Sequence, residues 1–164
     1  MALDTSVIGK PTGAHRVVVE RSPVSNFASA LKDENPVYHD PGAAKGAGFT
    51  GIPAPPTWSF AMQFWGRFAE DQPDDPTGGE NPMHQVMSQL FAQGGLVLHG
   101  EQEFQYHRPI VVGDVLVGEG RILDIYEKES KGRTMTFVVT ETIWRDDKSG
   151  EPVVTDRFNL IHRS

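Results

Sequence analysis

Ile52-Pro-Ala-Pro-Pro-Thr-Trp-Ser-Phe-Ala-Met-Gln-Phe-Trp-Gly-Arg-Phe68 is the stretch on which the reading of this chain turns. Its proline-rich start cannot be helical, because proline lacks the amide hydrogen and clashes with the preceding turn. From Thr57 onward Trp58, Ala61, Met62, Trp65 and Phe68 recur at i, i+3, i+4, i+7 and i+10, one face of a helix. Phe60 and Phe64 fall on the opposite face, leaving Ser59, Gln63 and Arg67 polar. A helix apolar nearly all round is expected to be buried, with a sheet wrapped about it.

Upstream, His15–Glu20 reads as a short strand. Ser22-Pro23 starts a helix from Val24 to about Leu31, with Ser22 as N-cap and Phe27, Ala28 and Leu31 on one face. Asp33-Glu-Asn-Pro-Val-Tyr-His-Asp40 is a turn, since a residue before proline avoids the helical region. Residues 41–48 allow one more helical turn ending at glycine. Downstream, 69–82 reads as an exposed acidic loop, and a second helix runs from about Met83 to Gln93 with Val86, Leu90 and Phe91 as its apolar stripe.

From Leu96 the period becomes two. Leu96–Tyr106, Val115–Glu127, Thr134–Trp144 and Val153–Ile161 are expected as strands of an antiparallel meander. The fold class is α+β, a single domain over 1–164 with one sheet curled around one helix. The open edges of such a sheet predict a dimer.

The 164 residues suffice to bury roughly 70% of the unfolded surface. A net charge of −7 argues against nucleic acid or an anionic membrane as the main partner. With no cysteine there is no disulfide, thiolate zinc site or cysteine nucleophile. The first twenty residues hold no apolar run, and nowhere do about 18 apolar residues follow one another, so a cytoplasmic chain is expected. His99 and His107 would lie roughly 26 Å apart along a strand and cannot share a metal; no cofactor or metal is expected.

Three motifs carry a resemblance. They are Asp33-Glu-Asn-Pro-Val-Tyr-His39, Ala54-Pro-Pro-Thr-Trp58, and His99-Gly-Glu-Gln-Glu-Phe-Gln-Tyr-His-Arg-Pro-Ile-Val-Val-Gly-Asp114. With the order of elements, they resemble the hot-dog fold in its MaoC-like branch, the (R)-specific enoyl-thioester hydratases and 3-hydroxyacyl-thioester dehydratases. The likeness is nearest to the N-terminal, substrate-binding type of unit in actinobacterial dehydratases, whose members often pair with a second hot-dog subunit.

The resemblance implies reversible addition of water across a trans-2-enoyl thioester. An Asp and a His deprotonate the water, and amide hydrogens at the start of the central helix hold the thioester oxygen. Carried over, Asp33 and His39 become the catalytic pair, and Asn35, Tyr38, Pro56, Thr57 and Trp58 the substrate-binding set. Two positions depart from the pattern. The residue five after Asp33 is Tyr38, with His39 one later. Pro55-Pro56 stand where active relatives have His-Gly, and neither can donate.

Each residue also has a plain structural reading. Asp33 and Asn35 are ordinary turn residues before a proline. Tyr38 walls an acyl pocket or half-buries in the turn. Arg108 meets a phosphate of the acyl carrier or forms a surface ion pair. Three functions therefore stand open: an acyl-binding subunit with an active hot-dog partner, a self-sufficient homodimeric hydratase, and a thioesterase or simple acyl-thioester-binding protein. The substrate in each is a coenzyme A or acyl-carrier-protein thioester. The thioesterase ranks last, because Thr57–Gly66 contains no carboxylate to activate water.

Overall fold

A computed structural model describes residues 4–130 and 132–163. Its strands are β1 Pro11–Val18, β2 Leu96–Tyr106, β3 Val115–Ser130, β4 Arg133–Asp146 and β5 Pro152–Arg163. They form one antiparallel sheet in the order β1-β3-β4-β5-β2. The helices are α1 Arg21–Ala30, α2 Pro41–Gly46, α3 Trp58–Met62 and α4 Pro82–Ala92. α1 begins earlier than the Ser22 cap predicts: Glu20 holds the N-cap position, and Ser22 lies in the first turn.

Only β3, β4 and β5 form the expected meander. β2 crosses to the far edge beside β5, because Arg108-Pro109 ends the strand and the following residues turn away. There Ala54 donates to the Ile110 carbonyl and Val112 to the Ile52 carbonyl, both at 2.8 Å. The connection after β2 thus clamps the proline-rich approach to α3.

α3 sits on the sheet as expected but is short. Trp58 and Met62 are buried against Val17, Leu116, Trp144 and Val154. The helix then stops, and Phe64 and Trp65 are 72% and 52% exposed, so the expectation of a helix buried to Phe68 does not hold. The cause lies at Gly66, whose backbone has φ +69°. Its carbonyl accepts from Val18 at 2.9 Å, and a Cβ there would stand 2.0 Å from the Val18 oxygen. The chain leaves the helix in order to pair with β1, which only glycine allows at this distance.

α4 covers the other half of the same face. Val86 and Leu90 pack with Val7, Ile122, Val138 and Leu160 in a second cluster, whereas Phe91, one position past Leu90, turns outward and is exposed. Its start is chemically plain: Asn81 accepts from the Met83 amide, and Pro82 occupies the first turn. The acidic loop ahead of it is exposed but fastened. Gln72 exchanges two hydrogen bonds with the Arg16 main chain, at 3.1 and 2.9 Å, and Asn81 donates to the Thr12 carbonyl at 2.7 Å. Arg16 also pairs with Asp71 and Asp147. The outer edge of β1 is therefore covered, whereas among the described residues β2 pairs on one side only, with β5.

On the convex face Arg121, Glu141, Arg157 and Glu103 alternate in sign across β3, β4, β5 and β2, each in register with the next. Arg121 and Arg157 meet the buried Glu141 carboxylate at 2.7 and 2.9 Å. Burial pushes Glu141 upward, but these two arginines outweigh it and hold the carboxyl below its usual range.

Candidate active site

α1 ends with Lys32 in the left-handed conformation at φ 56°, which swings the chain into the Asp33 turn. There the Asp33 carboxylate accepts from the Asn35 amide at 3.1 Å, and Asn35 in turn accepts from the Val37 amide at 3.2 Å. Pro36–Tyr38 forms a single 3-10 turn. Arg21 braces it from α1, donating to the Tyr38 and His39 carbonyls at 3.2 and 2.7 Å. The His39 ring folds back so that Nε2–H donates to the Asp33 main-chain oxygen at 3.1 Å, not to its carboxylate.

Tyr38 points elsewhere, into a groove of about 380 Å³. Phe49, the run Pro53–Pro56 and the end of β2 from Tyr106 to Ile110 complete its walls. The Tyr106 hydroxyl donates to the Pro56 carbonyl and ties β2 to the start of α3. Burial first, and the nearby Asp33 charge second, push the Tyr38 phenol upward, so it stays protonated and able to donate.

Of the candidate residues, Tyr38 and Pro56 meet in this groove. Asp33, Asn35 and His39 share the adjacent turn, held by its own backbone bonds. Thr57 is exposed at the N-cap of α3, and its side chain makes no capping bond. Trp58 is buried in the core, edge-on to Phe27 at 5.3 Å. Its amide donates to the Pro55 carbonyl at 2.9 Å. Pro55 and Pro56 have no amide hydrogen, so of residues 55–58 only Thr57 offers a main-chain donor not already committed to this turn.

Arg108 takes the ion-pair role, reaching Asp114 at 2.6 Å and Asp146 at 3.1 Å. Sequence reasoning missed Tyr106. The signal was present, since an aromatic four residues short of Ile110 on an edge strand reaches the same end of the sheet as Pro56, but only the crossover after β2 brings the two together.

A sheet wrapped on one short helix, with an apolar groove at that helix's proline-rich start, is the arrangement of a hot-dog unit. The family model "FAS1-like, dehydratase domain region" matches residues 6–156. A UPF0336 protein of Streptomyces avermitilis is 36% identical over 167 residues, covering 100% of this chain and 97% of the relative. A "Probable enoyl-CoA hydratase alpha subunit" of Thermomonospora curvata is 30% identical over 141 residues, covering 84% of this chain and 43% of that protein. One chain of the HadBC (3R-hydroxyacyl-ACP dehydratase) complex of Mycobacterium tuberculosis superimposes with a TM-score of 0.69 at 22% identity, covering 97% of this chain and 99% of that one. A MaoC-like dehydratase of Phytophthora capsici gives a TM-score of 0.69 at 16% identity, over 99% of this chain and 50% of that one. The chain belongs to the FAS1-like dehydratase family, with the MaoC-like hot-dog fold that the motifs predict.

Proposed function

We propose that residues 1–164 act as one hot-dog unit of an (R)-3-hydroxyacyl-thioester dehydratase, or trans-2-enoyl-thioester hydratase, of fatty acid metabolism. In this reading the chain binds the acyl group, and a second hot-dog subunit supplies the working Asp and His. The observation that carries it is the start of α3, where Pro55 and Pro56 have no amide hydrogen and the Trp58 amide is bonded to the Pro55 carbonyl, so Thr57 alone is left to hold a thioester oxygen; the His39 ring, moreover, is turned to the Asp33 main chain and not to its carboxylate. A base must reach the proton it removes within about 3 Å of heavy-atom distance. Asp33 and His39 each keep an acceptor atom, so the shortage of oxyanion donors at α3 is what a partner subunit would make good.

The same reading gives the groove its use. Tyr38, Pro53–Pro56 and Tyr106 offer an apolar wall with two phenols, suited to an acyl thioester and not to a free ion. The open β2 edge and the exposed aromatics after α3 offer the partner a surface, and the resemblance to a HadBC chain supports a hot-dog subunit in that place. No helix among the described residues is long and apolar enough to cross a membrane.

The test is hydration of short and long trans-2-enoyl-CoA by the purified chain, alone and mixed with a hot-dog subunit that keeps an intact Asp and His. Turnover only in the mixture supports the subunit reading. Turnover by the chain alone that Asp33→Asn and His39→Ala each remove would make it a self-sufficient homodimeric hydratase.

A further inference from the structure

Between its two hydrophobic clusters the concave face of the sheet is polar. The register sets Gly120 beside Thr142 and Thr142 beside Asp156, with Thr140 beside Phe158 one step along. Two adjoining cavities of about 110 and 260 Å³ lie over this strip, sharing Gln63, Thr140, Thr142, Trp144 and Phe158 as walls. The smaller adds Ser59, Gln102 and Asp156; the larger adds His15 and Asn81.

The polar groups here are under-used. Ser59 is 1% exposed, and its hydroxyl has no hydrogen-bond partner among the described residues. Asp156 is 8% exposed and turns both carboxylate oxygens to one donor, the Gln102 amide, at 3.0 and 3.2 Å. His15 Nδ1 is buried without a partner as well. Plain hydrocarbon entering such a space would strip water from each group and return no bond. An anion is no better suited, because burial first and the Arg67 charge second push His15 downward toward its neutral form, and the Asp156 carboxyl itself lines the smaller cavity.

The chamber and the Tyr38 groove share no lining residue, but both are walled by α3 or its approach and by β2. Ser59 follows Pro56 by one turn of chain, and Gln102 precedes Tyr106 by four residues on the same side of β2, roughly 13 Å. They therefore flank the start of α3. We propose that the chamber receives a hydroxyl group carried far along the acyl chain, so that this subunit selects hydroxylated acyl thioesters over plain ones. A hydroxyl both donates and accepts, which answers the Asp156 carboxyl and the Ser59 and Thr142 hydroxyls together. The inference rests on the acyl-binding function above.

Calorimetric titration tests it, using the purified chain and a chain-length series of ω-hydroxyacyl-CoA thioesters, each matched with its unsubstituted counterpart. At one or more lengths the hydroxyl is expected to tighten binding by about tenfold. Ser59→Ala and Thr142→Val are each expected to bring the matched pair to within about threefold. Ser59→Ala should also keep or raise the Tm of the free chain, because it removes an unpaired buried hydroxyl; a purely structural serine would lower it. Plain acyl-CoA binding with no hydroxyl preference at any length overturns this inference and leaves the acyl-binding reading standing. A preference that survives both substitutions also overturns it. Binding by no member of the series overturns both.

Discussion

Asp156 and Glu141 are both buried carboxyls near the middle of the sheet, and their surroundings send them in opposite directions. Burial raises Asp156 above its usual value, with the Gln102 amide and the His99 charge opposing more weakly. The folded state therefore holds its proton more tightly, so the group supports folding below its unfolded pKa and loses that support as pH rises through the folded value. Asp156→Asn is expected to raise Tm at neutral pH, by a margin that shrinks as pH falls into the carboxylate range, measured by thermal melts across pH. Glu141 is held low, so its support is present above the unfolded pKa and is lost as pH falls through the folded one. Glu141→Gln should cost about 1–2 kcal/mol at neutral pH, discounted for two half-exposed arginine partners, and little in acid, by urea denaturation. Neither role was legible beforehand. Glu141 stands one position from Thr142 in an alternating strand, and only register shows that arginines flank it. Tyr38 was legible, because its place in the Asp33 motif already set it apart from the histidine next to it.

At the scale of the element, β2 to β5 were written plainly, whereas β1 and the central helix were not: β1 runs over Pro11–Val18 where His15–Glu20 was expected. β2 matches its expected bounds to the residue, with a bulge between His99 and Glu101 that breaks the alternation, and β3 to β5 differ only at their ends. The run Trp58–Phe68 has helical spacing throughout, yet the helix ends at Met62. Periodicity reports which residues are apolar, not what their backbone must meet. The decisive contact is Gly66 on Val18, between segments far apart in the chain. Gly66→Ala is expected to destabilise the protein by about 2–4 kcal/mol, more than an ordinary surface substitution, through its positive φ and the clash with the Val18 carbonyl. Urea denaturation checks it, and Gly46→Ala, with open space around it, serves as the control. The crossover after β2 was missed for a similar reason. Arg108-Pro109 reads as a turn, and the chain itself does not say which strand the turn leads to.

The whole molecule presents an open β2 edge on which Leu96 and Leu98 are exposed, and the half-exposed Phe60 of α3 touches His99 of the same strand. Exposed leucines on an unpaired strand edge mark an interaction site. If the hot-dog partner docks here, Leu98→Lys should weaken association by about tenfold or more, read by analytical ultracentrifugation of the mixed subunits, while leaving the Tm of the free chain nearly unchanged. The other edge of the sheet behaves differently. Gln72 and Asn81 already occupy the main-chain groups of β1 with side-chain amides, and Gly66 takes another. A sheet with two bare margins could add neighbours without end, as fibrils do; one with a single bare margin can add one and no more. Each copy is in that sense a chain terminator: where a second copy joins through its own β2, growth of the sheet stops at that joint.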